Sequence, residues 1–360
     1  MPHAASRTAI VLAHDHFQTP NGKTAHGLVR GSERFDVKAV IDPSCAGRDA
    51  GDVLDGINRG IPIVHNIDEA LRVAGSPVAW CVVGIATHGG RFEESIRRQI
   101  LEAIGKGISI VNGLHDACSE DEEILTAARA RAVELIDLRK AKPKSQLHFW
   151  QGAIHKVRAP RLAVLGTDCA LGKRTTTRLL TQALVDADIS AQMIHTGQTG
   201  WMQGARFGVV FDSIINDYVS GELEHAIVNC ERETQPDIMI IEGQSSLRNP
   251  SGPCGSEMLL SAVAKAVVLQ HAPEREYFDG YESLGLRIPS LTSEIELIAM
   301  YGAKVIAVTL SEDRANDVQM RAHQVQLGEQ LGIPVVRPLV DGLAPLVPAV
   351  RAFIEQSTTP

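Results

Sequence analysis

The sequence predicts two α/β domains, each built on an open parallel sheet, with a phosphate-binding loop opening the second. Three observations carry this. Short apolar runs alternate with helix-like segments through both halves of the chain. Ala, Val, Ile, Leu and Gly abound while aromatic residues make up only 4%, a balance that favours α/β layers over an all-β sandwich. The stretch Arg161-Leu-Ala-Val-Leu-Gly166-Thr-Asp-Cys-Ala-Leu-Gly172-Lys173 reads as a buried strand, a glycine-bounded loop and a helix start.

In the first half the spacing predicts strands at Ala9–Ala13, Val37–Ile41, Ile61–Val64, Ala79–Ile85 and Ile108–Val111. Helices are predicted at Asp68–Val73, Glu93–Ile104 and Glu120–Leu135. The charged, proline-containing run Lys140–Lys144 ends this domain, so the expected division is 1–145 and 146–360. Leu147–Lys156 reads as a connecting segment. Strands are then expected at Leu162–Leu165, Gln192–His195, Ile238–Ile241, Ala266–Leu269, Val305–Thr309 and Val335–Val336. At 360 residues, each domain is long enough for its own core.

Net charge is −8, which argues against a broad nucleic-acid-binding surface. The six cysteines form no C-x-x-C pair, so a structural zinc site or secreted disulfide framework is not expected. No signal-peptide order and no apolar run of membrane-spanning length is seen. A cytoplasmic protein with a small-molecule substrate, no nucleic-acid or membrane partner and a homo-oligomeric assembly is the expectation.

The loop Gly166–Lys173 aims backbone N–H groups and an ammonium at one spot, which suits a phosphate. Gly166, Thr167, Asp168, Gly172, Lys173, Arg174 and Thr175 are therefore the candidate cofactor-binding residues. The pattern departs from G-x-x-x-x-G-K-[ST]: five residues separate the glycines, and Arg174 stands where Ser or Thr ordinarily ligates Mg²⁺. Some seventy residues on, an apolar run ends in Glu242, placed to ligate a metal, orient water or accept a proton.

Other polar groups follow predicted strands, at the edge where open α/β sheets bind ligands. Gln198 and Thr199 lie in a glycine-rich turn and suit hydrogen bonds to substrate. Ser245 follows Glu242. His271 is a candidate general base and Arg275 a candidate carboxylate clamp. Asp212 is a third candidate acid or base. Lys23, His26 and Arg30 recur at helical spacing and would present basic groups on one face. His14-Asp-His16 lacks a third ligand nearby, so no metal site is assigned.

The phosphate loop resembles that of dethiobiotin synthetase-like P-loop proteins. A wider resemblance covers nearly the whole chain, through Gly22-Lys23-Thr-Ala, Ile110-Val-Asn-Gly-Leu-His115, Gly197-Gln-Thr-Gly-Trp201, Ile241-Glu-Gly-Gln-Ser-Ser-Leu247 and His271-Ala-Pro-Glu-Arg275. It is to a family long catalogued as a domain of unknown function. That family pairs an N-terminal Rossmann-like domain with a C-terminal P-loop NTPase-like α/β domain, and its characterised members include a D-glutamate N-acetyltransferase.

The resemblance implies transfer of an acetyl group from acetyl-CoA to the amino group of D-glutamate or a related D-amino acid. The loop would then grip the phosphates of CoA. Asp212, Glu242 and His271 would be the candidate bases, and Gln198, Thr199, Ser245, Arg275 and Lys23 the substrate contacts. The alternative is an ATP/Mg²⁺-dependent ligase or kinase in which Thr175 replaces the missing hydroxyl. A non-enzymatic nucleotide sensor is the third reading.

Overall fold

The computed structural model describes residues 7–358 and divides into two compact units. One comprises residues 1–142 with 198–205, the other 143–197 with 206–360. Both have the parallel α/β architecture expected.

The strands are β1 (Thr8–Leu12), β2 (Asp36–Ile41), β3 (Ile63–Val64), β4 (Trp80–Val83), β5 (Ser109–Asn112), β6 (Leu135–Asp137), β7 (Arg161–Gly166), β8 (Ala191–His195), β9 (Phe207–Gly208), β10 (Ile238–Glu242), β11 (Ala266–His271), β12 (Lys304–Leu310) and β13 (Val335–Val336). The helices are α1 (Lys23–Val29), α2 (Ala50–Asp55), α3 (Ile67–Ala74), α4 (Glu94–Gly105), α5 (Glu122–Arg131), α6 (Lys173–Val185), α7 (Gln198–Gln203), α8 (Asn216–Thr234), α9 (Ser256–Leu260), α10 (Leu291–Met300), α11 (Asp317–Leu331) and α12 (Val347–Thr358).

The first unit holds a six-stranded sheet of order β3-β2-β1-β4-β5-β6, with every pair parallel. Side chains alternate across a strand, so β1 supplies two cores. Ile10 and Leu12 pack with Ile41, Val83, Ile96 and Ile100 on one face. Ala9 and Val11 pack with Phe17, Leu28, Val40 and Val82 on the other. Burial on both faces is why these strands read as continuous apolar runs. Met202 of α7 belongs to the second of these cores, although it comes from the later half of the sequence.

The second unit holds a seven-stranded sheet of order β13-β12-β11-β7-β10-β8-β9, again parallel throughout. β7 is central, flanked by β10 and β11. Ala163 and Leu165 face a core with Ile241 and Leu269. Leu162 and Val164 face one with Ile240, Val268 and Leu180.

Three expectations need correction. The helix expected over Glu120–Leu135 stops at Arg131, where Ala132 takes a left-handed backbone (φ 52°) and turns the chain into β6. The basic face expected for α1 is not shared: Arg30 Nε bonds Asp55 Oδ2 at 3.3 Å, and His26 turns to the carbonyl of Phe17 at 2.5 Å. Leu147–Lys156 is more than a connector, since its backbone docks on α8. Glu222 accepts from His148 N at 2.9 Å, and Glu224 accepts from Gln151 N at 2.7 Å and Ile154 N at 3.1 Å. Among the described residues no helix is long and apolar enough to cross a membrane.

Candidate functional site

At the C-terminal end of the central strand β7 the chain runs from Gly166 through a tight loop into α6. Gly172 starts the helix from a left-handed backbone (φ 94°), a conformation costly for any residue with a Cβ. Gly166 and Gly243 make room for a buried lysine stem. A Cβ at Gly166 would lie 3.0 Å from Lys173 Cδ, and one at Gly243 would lie 3.2 Å from the same atom and 2.0 Å from the Val164 carbonyl oxygen.

The Lys173 ammonium donates to the carbonyl of Asp168 at 2.6 Å. Burial lowers its pKa to about 8, with Cys169 and Asp168 opposing that shift. Thr176 donates to Gln270 Oε1 at 2.5 Å and Thr177 to the Lys173 carbonyl at 2.8 Å, so both hydroxyls serve the fold. Arg174 and Thr175 lie half-buried in the first turn of α6.

The two strands beside β7 deliver the neighbouring groups. Register sets Glu242 of β10 opposite Val164, and Gln270 of β11 opposite Gly166. Glu242 is 3% exposed. Burial raises its pKa to about 7, against the pull of the Arg174 and Lys173 charges and the N–H groups of Thr196 and Gly197. Thr196 N reaches its Oε2 at 3.2 Å. Gln244 Nε2 donates to Thr196 Oγ1, which in turn donates to the Glu242 carbonyl at 2.6 Å. This side chain is therefore held, buried and poised to titrate near neutrality.

His271 shares a 3.1 Å hydrogen bond with Thr167 through Nδ1. Burial, with a smaller contribution from His323, drops its pKa to about 4. It is neutral at pH 7 and a weaker base than Glu242. Asp212 sits in a short turn over 211–213, close enough to Cys254 to be felt electrostatically. Burial and Glu257 push the Cys254 thiol up, and it donates to Glu257 Oε1 at 2.7 Å. Ser245 has a left-handed backbone (φ 28°) and places Oγ 3.3 Å from Cys169 Sγ. Ser246 Oγ beside it is buried and has no hydrogen-bond partner among the described residues.

Two candidate residues turn to each other. Arg275 was expected to clamp a substrate carboxylate, but the carboxylates it holds belong to the protein. Nη1 reaches Asp168 Oδ2 at 2.9 Å and Nε reaches Asp313 Oδ2 at 2.8 Å. Asp168, fully buried, also accepts from Asn249 Nδ2 at 3.0 Å and Asp279 N at 2.8 Å. Asp313 does not stand out in the sequence, because only the meeting of separate loops gives it a role.

Gln198, Thr199 and Lys23 belong to the first unit. Thr199 Oγ1 lies 3.1 Å from Thr24 Oγ1, tying α7 to α1, and Gln198 is buried. Lys23 is exposed at the start of α1. The second unit thus gathers the phosphate loop with Glu242, Asp212, His271, Ser245 and Arg275. Among the described residues no cluster of three or more His, Cys, Asp or Glu side chains is arranged to hold a metal.

Comparison with known proteins places this geometry in a family. Residues 148–347 match a domain of unknown function described as the DUF1611_C P-loop domain, and 43–141 match the DUF1611_N Rossmann-like domain. A D-glutamate N-acetyltransferase of Pseudoalteromonas sp is 32% identical over 278 residues, covering 74% of this chain and 79% of that protein. Another from Tritonibacter scottomollicae is 26% identical over 308 residues, covering 83% and 88%. The crystal structure of a DUF1611 family protein from Anabaena variabilis superposes with a TM-score of 0.87 at 26% identity, over 96% of this chain and all of that one. The chain belongs to the DUF1611 family, with its Rossmann-like and P-loop domains.

Proposed function

We propose that the protein is an amino-acid N-acetyltransferase that moves an acetyl group from acetyl-CoA to the amino group of D-glutamate or a related D-amino acid. The observation that carries this is the buried Glu242, titrating near pH 7, at the strand end beside the Lys173 loop. The activity named for the two relatives supports the same reading.

The loop N–H groups and Lys173 bind phosphates of CoA. The amine attacks the thioester carbonyl, the C–N bond forms, and the C–S bond breaks to release the CoA thiolate. The ammonium proton must leave before attack, and Glu242 is the group whose pKa suits its acceptance at neutral pH. Ser245 and backbone N–H groups supply the hydrogen bonds to the oxyanion. Arg174 in place of the Mg²⁺ hydroxyl, with Thr176 and Thr177 turned inward, suits a phosphate grip without phosphoryl transfer.

Thr175 in the first turn of α6, with Glu242 on the adjacent strand, favours the second reading, an ATP/Mg²⁺-dependent ligase or kinase. One assay separates them. The protein is incubated with D- or L-glutamate and acetyl-CoA, and separately with ATP and Mg²⁺. Release of free thiol with D-glutamate is expected. ADP release with no thiol under any amino acid overturns the proposal. Glu242→Gln is expected to lower kcat by about 100-fold or more.

A further inference from the structure

A carboxylate inside an anion-binding loop opposes its ligand. Asp168 occupies such a position, two residues beyond Gly166, and is fully buried. Yet its carboxylate oxygens are met by donors: Asn249 Nδ2, Arg275 Nη1 and the Asp279 amide. These come from the segments that follow β10 and β11. Arg275 is in turn held by Asp313, which follows β12. Two strand-end loops therefore converge on one residue of the phosphate loop, and a third braces Arg275 from behind.

The same guanidinium also fixes the loop backbone. Arg275 Nη1 takes the Cys169 carbonyl at 2.8 Å, and Lys173 takes the Asp168 carbonyl at 2.6 Å. In a trans peptide the N–H lies opposite the carbonyl, so the Cys169 carbonyl held by Arg275 sets the Ala170 N–H facing away from the guanidinium. The Arg275 side chain is only 6% exposed and that of Asp168 is 0% exposed, so water screens their pairing little.

We infer that Arg275 is a positioning residue for phosphate binding: it cancels the Asp168 charge and pins the Cys169 carbonyl of the loop. It does so without touching substrate. The inference rests on the phosphate-binding role of the loop, and not on the identity of the acyl acceptor.

The test measures calorimetric binding of CoA and, in parallel, of ATP with Mg²⁺ to the full chain. Lys173→Ala, Arg275→Gln and Arg275→Gln/Asp168→Asn are compared at fixed salt, below the melting temperature of each. Arg275→Gln is expected to weaken binding at least about tenfold by leaving Asp168 uncompensated. The double variant is expected to return to within about fivefold of wild type, as coupled neighbours do. A merely structural arginine predicts no such rescue.

If neither probe binds the wild type, or Lys173→Ala binds as the wild type does, the phosphate-loop role itself has failed. If Lys173→Ala binds poorly while Arg275→Gln binds normally, only the positioning role is overturned. Should Arg275→Gln not fold, the double variant decides: folded and binding supports the inference, folded and not binding overturns it.

Discussion

At pH 7 the Glu242 carboxyl stands near half-protonation, and this has a consequence for stability. Its pKa is about 7 when folded, against an ordinary glutamate value of 4.5. The folded state therefore binds more protons between those values, so stability contributed by the protonated form is fully present below pH 4.5 and is lost as pH rises through 7. Glu242→Gln removes that dependence. Urea denaturation is expected to find the variant more stable than wild type at pH 8, by up to about 3 kcal/mol, and little different near pH 4.5. Lys173 has the opposite sign: its folded pKa is lowered, so stability rises with pH between about 8 and 10.5. The residues of this pair were legible because their signals are local, a glycine spacing in one case and the end of an apolar run in the other. Arg275 was legible as a cation near the site, but its partners lie 107 and 38 residues away in sequence. No local pattern carries that distance, so its partners are invisible in the sequence.

The docking of residues 148–156 on α8 shows what an element does that its sequence pattern hides. Two glutamates of α8, 2% and 4% exposed, serve as acceptors for backbone N–H groups of this segment. Gly221 lets the two backbones meet, since a Cβ there would lie 2.0 Å from the His148 carbonyl oxygen. Gly221→Ala is expected to cost about 3 kcal/mol or more by overpacking, read as a lowered urea midpoint. Helical acidic residues ordinarily face water, so the sequence of α8 gives no sign that Glu222 and Glu224 are buried acceptors. Strands were more transparent. Runs buried on both faces gave β1, β2, β4 and β5, and most of the second sheet, to within a residue or two. The short edge strands β6 and β9, of three and two residues, lacked any period long enough to notice.

The alternation of strands and helices correctly announced two parallel sheets, yet contiguous reading cannot show where a segment goes home. α7 lies within the P-loop half of the sequence but belongs to the first unit. Met202 is fully buried there, Arg34 stacks on the Trp201 ring at 3.8 Å, and Gln203 Nε2 donates to the Gly27 and Gly31 carbonyls. Met202→Ala is expected to destabilise by about 2–5 kcal/mol. Hydrogen exchange is expected to register the loss in amides of β1 and β4, next to which it packs, before those of β7 and β10.

The chain passes from one unit to the other at 142/143, 197/198 and 205/206. A gene cut once between its halves would leave the first product without eight residues that belong to it, five of them buried. Recombination that exchanges the Rossmann-like module for another must therefore carry two separate stretches of coding sequence, or supply a substitute for Trp201 and Met202. This ties the inheritance of the two modules together, so that related genes should gain, lose and transfer them as a single piece.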